Sequence, residues 1–571
     1  APLGKGSPLP ASRALPPGTL QSQSSMGINQ CLLKGIGRSG SVRTAILIAL
    51  LAFSHQHVWA QVPPDSGQIL RETLERDLQP LQPSVDFRPQ GQPLIGTPEG
   101  GPRIEVTQVR ISGNTVYTAD ELLEAIGEVR GRSFDLAGLR DIANEISTFY
   151  RDNGYIFARA VLPPQDLAEG VLVISVVEGR YGAVRATGDK RFTAGAQHFL
   201  SPLKPGTVIR SEPLERSMLL LGDQPGITVS PVMRPGTEAG TGDLDISVRR
   251  ARRFESNLGV DNHGGEFSGE YRGHVGLRIN SLARFGDQIS LRASYTSEGL
   301  TSGQAGYDVP LGGRGLRANL SYARTIYELA RPFDDFSGTA TITTAGLSYP
   351  LVRTSAANLI AGAAFHYKDL ENELQGTSFE AKNSDSWPIN LQFDRRDGLG
   401  GGGVTYGAFS VTPGHLKSDN AAAVQGGYTK ANLQLVRLQN LSHGISLFAR
   451  LSGQWTDSEL DSSESFTLGG AADVRAYPQG EAAGDKGVLA QMELRFRFRH
   501  VDPYLFYDAG QVEQDALNDR RSLAGAGFGL RHSSARLRLD LAAAWRTDGR
   551  DAVTVEKQRD PQLWFRSSYL F

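Results

Sequence analysis

The sequence is nearly free of cysteine. Its 571 residues hold one, Cys31, inside an N-terminal targeting segment described below. The mature chain then has no thiol and no disulfide, which excludes cysteine-based metal and redox sites. No apolar run is long enough for a spanning helix, with 39% hydrophobic residues and a mean hydropathy of −0.28. Neither charge sign dominates: 59 basic residues face 61 acidic ones, and nothing suggests a nucleic-acid footprint. Catalytic signatures are missing too. There is no H-E-x-x-H, no Walker loop and no G-x-S-x-G, and the ten histidines are scattered. We expect no enzyme, no metal and no cofactor. A G-x-G-x-x-G does occur at Gly398, Gly400 and Gly403. It precedes an alternating strand instead of opening a helix, so it reads as a hairpin turn. Beside it, Asp394, Arg395, Arg396 and Asp397 read as a solvated or lumenal charge cluster.

The length suggests two to four domains. Residues 1–25 precede the first methionine, Met26, and read as an upstream extension outside the fold. Residues 26–60 have a basic start (Lys34, Arg38, Arg43), an apolar core from Ala45 to Phe53, and a small-residue end at Ala60. These are the three parts of a secretory signal. Residues 61–80 contain one amphipathic helix, 66–79, with Ser66 as its cap and Ile69, Leu70, Leu74 and Leu78 at helical spacing. Pro80 ends it, and 81–102 is a Pro-rich linker. The tethered helix must dock somewhere.

Residues 103–179 look like a small α/β module of order β-α-α-β-β. IEVTQVRISG is its first strand. Thr118 and Glu121 form a capping box for the first helix. Leu136, Leu139, Ile142, Ile146 and Phe149 share one face of the second, and Gly154 stops it. YIFARAVLP and VLVISVVEG complete the sheet. The same order recurs in 180–252, which argues for a tandem repeat. Each three-stranded sheet would present an exposed edge to another extended chain.

From 253 to 571 the periodicity changes to two. Met492, Leu494, Phe496 and Phe498 alternate with Glu493, Arg495 and Arg497, and similar runs recur along the region. A soluble sandwich would rarely expose so many arginines in register. Apolar residues facing lipid and polar ones facing a wet lumen explain the pattern, and closure removes every sheet edge. The 318 residues from 254 to 571, at roughly 20 per strand and turn, give about 16 antiparallel strands. The expected fold is therefore an all-β transmembrane barrel after two α/β modules and a helix. Phe565, Tyr569 and Phe571 form an aromatic C-terminal signature of the kind that barrel assembly machinery recognises; outer-membrane lipid would surround the wall.

One loop stands out. FTLGGAADVRAYPQGEAAGDKG carries a single arginine, Arg475, between Val474 and Ala476-Tyr477, and FYDAG downstream carries Asp508. A guanidinium in a confined space needs a partner, and a carboxylate accepts its planar fork bidentately. We expect Arg475 to meet Asp508.

The order signal, tethered helix, two modules, barrel resembles the outer-membrane transporters of two-partner secretion, the ShlB/FhaC/HecB haemolysin secretion/activation family. The modules resemble that family's POTRA domains. Val474, Arg475 and Tyr477 resemble its Val-Arg-Gly/Ala-Tyr loop motif, with Ala476 where glycine is common in the wider superfamily. Phe506, Asp508 and Gly510 resemble its Phe-x-Asp-x-Gly strand motif. The resemblance implies a 16-stranded barrel with the Arg475 loop folded inside. It also implies periplasmic POTRA modules and a helix that plugs the pore at rest. The implied function is export of a large β-helical exoprotein, an adhesin or cytolysin, across the outer membrane. An insertase of the same superfamily shares the loop motif and is the alternative.

Overall fold

The computed structural model describes residues 63–73, 79–80, 99–421, 423–514, 519–549, 551–555 and 557–571. The upstream extension, the signal, residues 74–78 of the expected helix and most of the linker lie outside them.

Helix α1 spans Ser66–Thr73. Its cap is Asp65 and not Ser66. The Asp65 carboxylate accepts from Gln68 N at 2.9 Å, while the Asp65 amide donates to Gln68 Oε1 at 3.3 Å. This reciprocal pair is a capping box in which Gln68 plays the third-position role, and it places the helix start one residue earlier than expected. Ser66 is left to donate its amide to Asn372 Oδ1 at 2.8 Å on the barrel wall.

The first module runs β1 (Ile104–Glu105), β2 (Gln108–Ser112), α2 (Ala119–Ile126), β3 (Ser133–Phe134), α3 (Leu136–Asp152), β4 (Arg159–Val161) and β5 (Val171–Val177). The Thr118–Glu121 capping box is present. The expected first strand is split. Its start pairs with β3, and its remainder runs parallel to β5. Strand β4 covers only three of the nine residues expected. Pro163 and Pro164 cannot extend a ladder, and Tyr155 turns into an aromatic cluster with Tyr117 and Tyr150. On α3, Leu139, Ile142, Ile146 and Tyr150 are buried, whereas Leu136, the first helical residue, stays half exposed.

The second module repeats the plan with β6 (Arg180–Gly188), α4 (Lys190–Phe199), α5 (Ser211–Gly222), β7 (Ile227–Pro235) and β8 (Thr241–Arg250). The two sheets have the orders β2-β5-β4 and β6-β8-β7, so β4 and β7 are outer strands of like position in the sheets of the described residues. Glu178 ties the modules together. It accepts from Val116 N at 2.7 Å, from Tyr150 Oη at 3.1 Å, from Thr115, and from Arg180 Nη2 at 3.1 Å. Burial pushes its pKa up, but the hydrogen bonds from Thr115 and Val116 outweigh this and hold it below its ordinary 4.5. A depressed folded pKa stabilises the ionised form. The contribution is therefore fully present above about pH 4.5 and is lost as pH falls through the lower folded value. Glu178→Gln should lower the module's melting temperature at pH 7 and flatten its dependence between pH 5 and 3, as followed by near-UV circular dichroism. An unchanged acid profile would show that Glu178 is not the linked group.

The second module sits directly on the barrel's periplasmic turns. Arg353, 2% exposed, forks onto Asp223 with bonds of 2.7 and 2.6 Å, and its third nitrogen donates to Asn358 at 2.9 Å. Arg317 donates to Gln224 at 2.8 Å, and Phe285 packs edge-on to Phe192. These contacts cover the turns that serve the second to seventh strands.

Sixteen antiparallel strands close the barrel. The eighth is interrupted at Trp387 and Pro388, so Ala357–Leu374 pairs with both Thr377–Ser386 and Ile389–Asp397. Strand length varies from 8 residues (Phe254–Asp261) to 18 (Phe336–Arg353). Outward residues such as Leu320, Leu347, Met492 and Leu505 are half exposed, as a lipid face requires. The last strand, Gln562–Leu570, meets the first over five pairs. Beyond these, Asn262 imitates a ladder: its side chain accepts from Phe565 N and donates to Leu563 O, both at 2.8 Å. The G-x-G-x-x-G stretch is a periplasmic turn, with Gly400, Gly401 and Gly402 at positive φ, and Asp397 pairs with Arg437 at 2.6 Å.

Candidate functional site: the lumenal loop and its wall

Residues 457–485 join the eleventh strand (Ile445–Thr456) to the twelfth (Lys486–Phe496). The segment folds back into the barrel, with Phe466–Leu468 paired to Ala482–Gly484 as a short hairpin. Gly469 and Gly470, both at positive φ, turn the chain toward the wall, and Val474 O accepts from Tyr477 N at 3.1 Å to close the tip.

Arg475 is 5% exposed and Asp508 fully buried. Arg475 Nε and Nη2 donate to the two Asp508 oxygens at 2.7 Å each, and its backbone amide adds a third bond at 3.2 Å. The remaining nitrogen, Nη1, donates to Glu493 at 2.6 Å. The Phe506 ring lies 3.6 Å from the guanidinium carbon, within cation–π range. Trp564 on the last strand donates to Arg475 O at 2.7 Å. Glu493 also takes Arg531 at 2.9 Å and Arg495 at 2.7 Å, and Arg531 reaches Asp540 at 2.7 Å. Three cations thus meet three anions in a network that is charge-neutral and multiply hydrogen-bonded, which a buried ionic cluster needs.

The structure brings all of the sequence-named motif residues to one place. Val474 and Tyr477 are fully buried, and Tyr477 Oη donates to Asp548 O at 3.0 Å. Gly510 lies against Leu468 of the loop. Phe565 and Tyr569 lie apart, on the outer face of the last strand, and Phe571, just past its end, is 62% exposed.

Two features were not foreseen. Alternation places Glu493 on the polar side of its strand without joining it to Arg475; the pairing of Gln491 with Asp508 and Glu493 with Phe506 puts it there. A second charge cluster involves three wall lysines. Lys368 and Lys430 hold Glu464 at 2.6 and 2.8 Å, with Tyr428 Oη adding a bond at 2.8 Å. Lys382 holds Asp461 at 2.9 Å and approaches Asp65, the α1 cap, at 3.5 Å. Helix α1 therefore lies between wall and loop. Ile69 packs among Phe267, Leu300 and Tyr327, Leu70 among Ala323, Ala340 and Leu370, and Arg71 donates to Ser465 O. No local pattern joins these lysines to the loop, whose carboxylates Asp461 and Glu464 are 34 to 96 residues away from them.

A model of the haemolysin secretion/activation proteins ShlB/FhaC/HecB matches residues 240–532, and one of the ShlB-type POTRA domain matches 104–179. The chain belongs to the ShlB/FhaC/HecB family. It is an outer-membrane transporter of two-partner secretion, with its barrel in the outer membrane and its POTRA modules in the periplasm, and it exports a secreted exoprotein. Among relatives, the heme/hemopexin transporter protein HuxB of Haemophilus influenzae is 29% identical over 517 residues, covering 84% of this chain and 90% of HuxB. The outer membrane transporter CdiB of Dickeya dadantii is 23% identical over 469 residues, 78% of this chain and 83% of that one. Of solved structures, CdiB from Escherichia coli superposes with a TM-score of 0.68 at 20% identity, covering 84% of this chain and 94% of that one. BamA from Haemophilus ducreyi, lacking POTRA domains 1–3, gives 0.51 at 16% identity over 82% of this chain and all of that one. The last two show the shared barrel fold.

Proposed function

We propose that the Arg475 loop and helix α1 close the transporter at rest, that an adhesin- or cytolysin-type exoprotein displaces the helix from the periplasmic side, and that passage of the exoprotein requires the loop held at the wall by Arg475 and Asp508. The observation that carries this reading is the single lumenal assembly of loop, helix and wall. Asp65 and Asp461 share Lys382, so helix and loop are anchored at one lysine. No nucleotide is needed; folding of the cargo outside supplies the direction. The insertase alternative shares the loop motif, but the family match and the ShlB-type POTRA match of the first module favour export.

We further propose that the unfolded exoprotein is captured as an added strand on a module edge. Strand β7 is the longer edge, nine residues against three for β4. A strand edge offers main-chain donors and acceptors to any extended chain. Proline substitutions in 227–233 or 156–162 that remove outward-pointing amides are expected to weaken binding of an unfolded cargo segment about tenfold, since two or three hydrogen bonds of ~0.5–1 kcal/mol each are lost. Unchanged affinity for both sets, measured by fluorescence anisotropy, would dismiss edge capture.

A further inference from the structure

Charge explains what holds Arg475, but it does not explain why the loop lies so close to the wall. Wall glycines do. A side chain at Gly487, on the twelfth strand, would overlap the Phe466 ring, and all three of its nearest atoms belong to that ring. One at Gly510, on the thirteenth (Asp502–Gln514), would stand 2.7 and 2.8 Å from the two methyls of Leu468. One at Gly525, on the fourteenth (Asp519–Ser533), would overlap the Ala476 methyl. One at Gly549, ending the fifteenth (Leu537–Gly549), would overlap Tyr477 Oη. Four consecutive strands thus each give up a side chain where one loop residue arrives. Gly549 has φ +117° and needs glycine for its own backbone. The other three have no positive φ, so space alone demands glycine there. Glycine weakens a strand interior and marks a close approach of other groups.

We infer that these glycines form a keyed seat for the lumenal loop, and that Gly525 is a positioning residue matched to Ala476. Gly525 pairs directly with Asp508 across the ladder. The Ala476 methyl therefore docks beside the carboxylate that holds Arg475. A methyl added at Gly525 has nowhere to go unless the loop retreats, and a retreat of that size takes bonds of 2.7 Å out of hydrogen-bonding range. Ala476→Gly removes the overlapping atom; Ala476 Cα would then stand 3.5 Å away, an ordinary contact, and Trp545 O at 3.0 Å remains the tighter neighbour. The alanine in this motif and the glycine in the wall are complementary halves of one fit. What the seat does for export rests on the closed-pore reading above; where the loop lies does not.

The test uses the bond between Arg475 and Ala476, which trypsin can cut only when Arg475 leaves the wall. Trypsin is added to intact cells displaying the full-length protein, so the periplasmic modules are shielded, and the fragment beginning at Ala476 is identified by mass. The wild type is expected to resist, Gly525→Ala to be cut, and the Gly525→Ala/Ala476→Gly double variant to regain most of the protection. Resistance of Gly525→Ala equal to wild type, or a double variant cut as readily as the single, overturns the proposal. Should Gly525→Ala fail to insert, insertion restored by Ala476→Gly supports the match and insertion not restored counts against it. Gly487→Ala with Phe466→Ala is an independent second pair read in the same way. Tryptic protection that follows these pairs while Arg475→Ala still secretes cargo would leave the seat standing and remove the closed-pore reading. Loss of secretion in Arg475→Ala with Gly525→Ala uncut would do the reverse.

Discussion

Arg475→Ala is expected to abolish export while leaving the barrel inserted. The substitution leaves Asp508, fully buried, without its bidentate partner and removes one of three cations around Glu493. Breaking a buried pair from one side costs about 3–5 kcal/mol, which shifts the seated loop population by a hundredfold or more. The wall itself keeps its ladder, because the pairs between Lys486–Phe496 and Asp502–Gln514 are main-chain bonds that do not pass through Arg475. Heat-modifiable migration should therefore be retained while secreted cargo disappears. Arg475→Lys keeps the charge but cannot fork onto Asp508 and still reach Glu493, so it should restore export only in small part. Normal secretion by Arg475→Ala would overturn the role assigned to the loop.

Deletion of residues 63–73 is expected to raise single-channel conductance several-fold. A helix with its side chains is about 10–12 Å across, a large obstruction in a barrel of this strand number. Ile69 and Leu70, both essentially buried against the wall, show how completely it fills its sector. The deletion also takes Asp65 from Lys382, yet Lys382 keeps Asp461 at 2.9 Å and Glu380 at 3.0 Å. The loop should accordingly stay in place, and the open pore should still be narrower than an empty barrel. Planar-bilayer recordings unchanged by the deletion would remove α1 from the resting closure.

The readable features were those written locally. Period-two alternation is a property of each strand, so the barrel and its strand number could be read from residues such as Leu537, Leu539 and Leu541. The Arg475–Asp508 contact was legible because a lone arginine in a glycine-rich loop needs a carboxylate, and FYDAG offered one. Glu493 was not, since only the strand register places Gln491 opposite Asp508 and thereby brings Glu493, two residues on, within reach of Arg475. Lys368, Lys382 and Lys430 lie on three different strands, and their convergence on Asp461 and Glu464 depends on the register of neighbouring strands and on the loop folding back into the barrel. Short elements failed for a different reason. Asp65 and Ser66 are both good caps, and the Gln68 side chain that decides between them carries little weight in a periodicity count. In β4, tertiary packing of Tyr155 overrode a strand-like composition.

The fork of Arg353 onto Asp223 has a consequence for how cargo reaches the pore. Because the second module is bolted to the turns of the second to seventh strands, its outer edge stands at a fixed distance and bearing from the mouth. A segment held on that edge is then no longer a solute of the periplasm. Its next step is intramolecular, governed by an effective concentration that short tethers raise to the millimolar range, however scarce the cargo is.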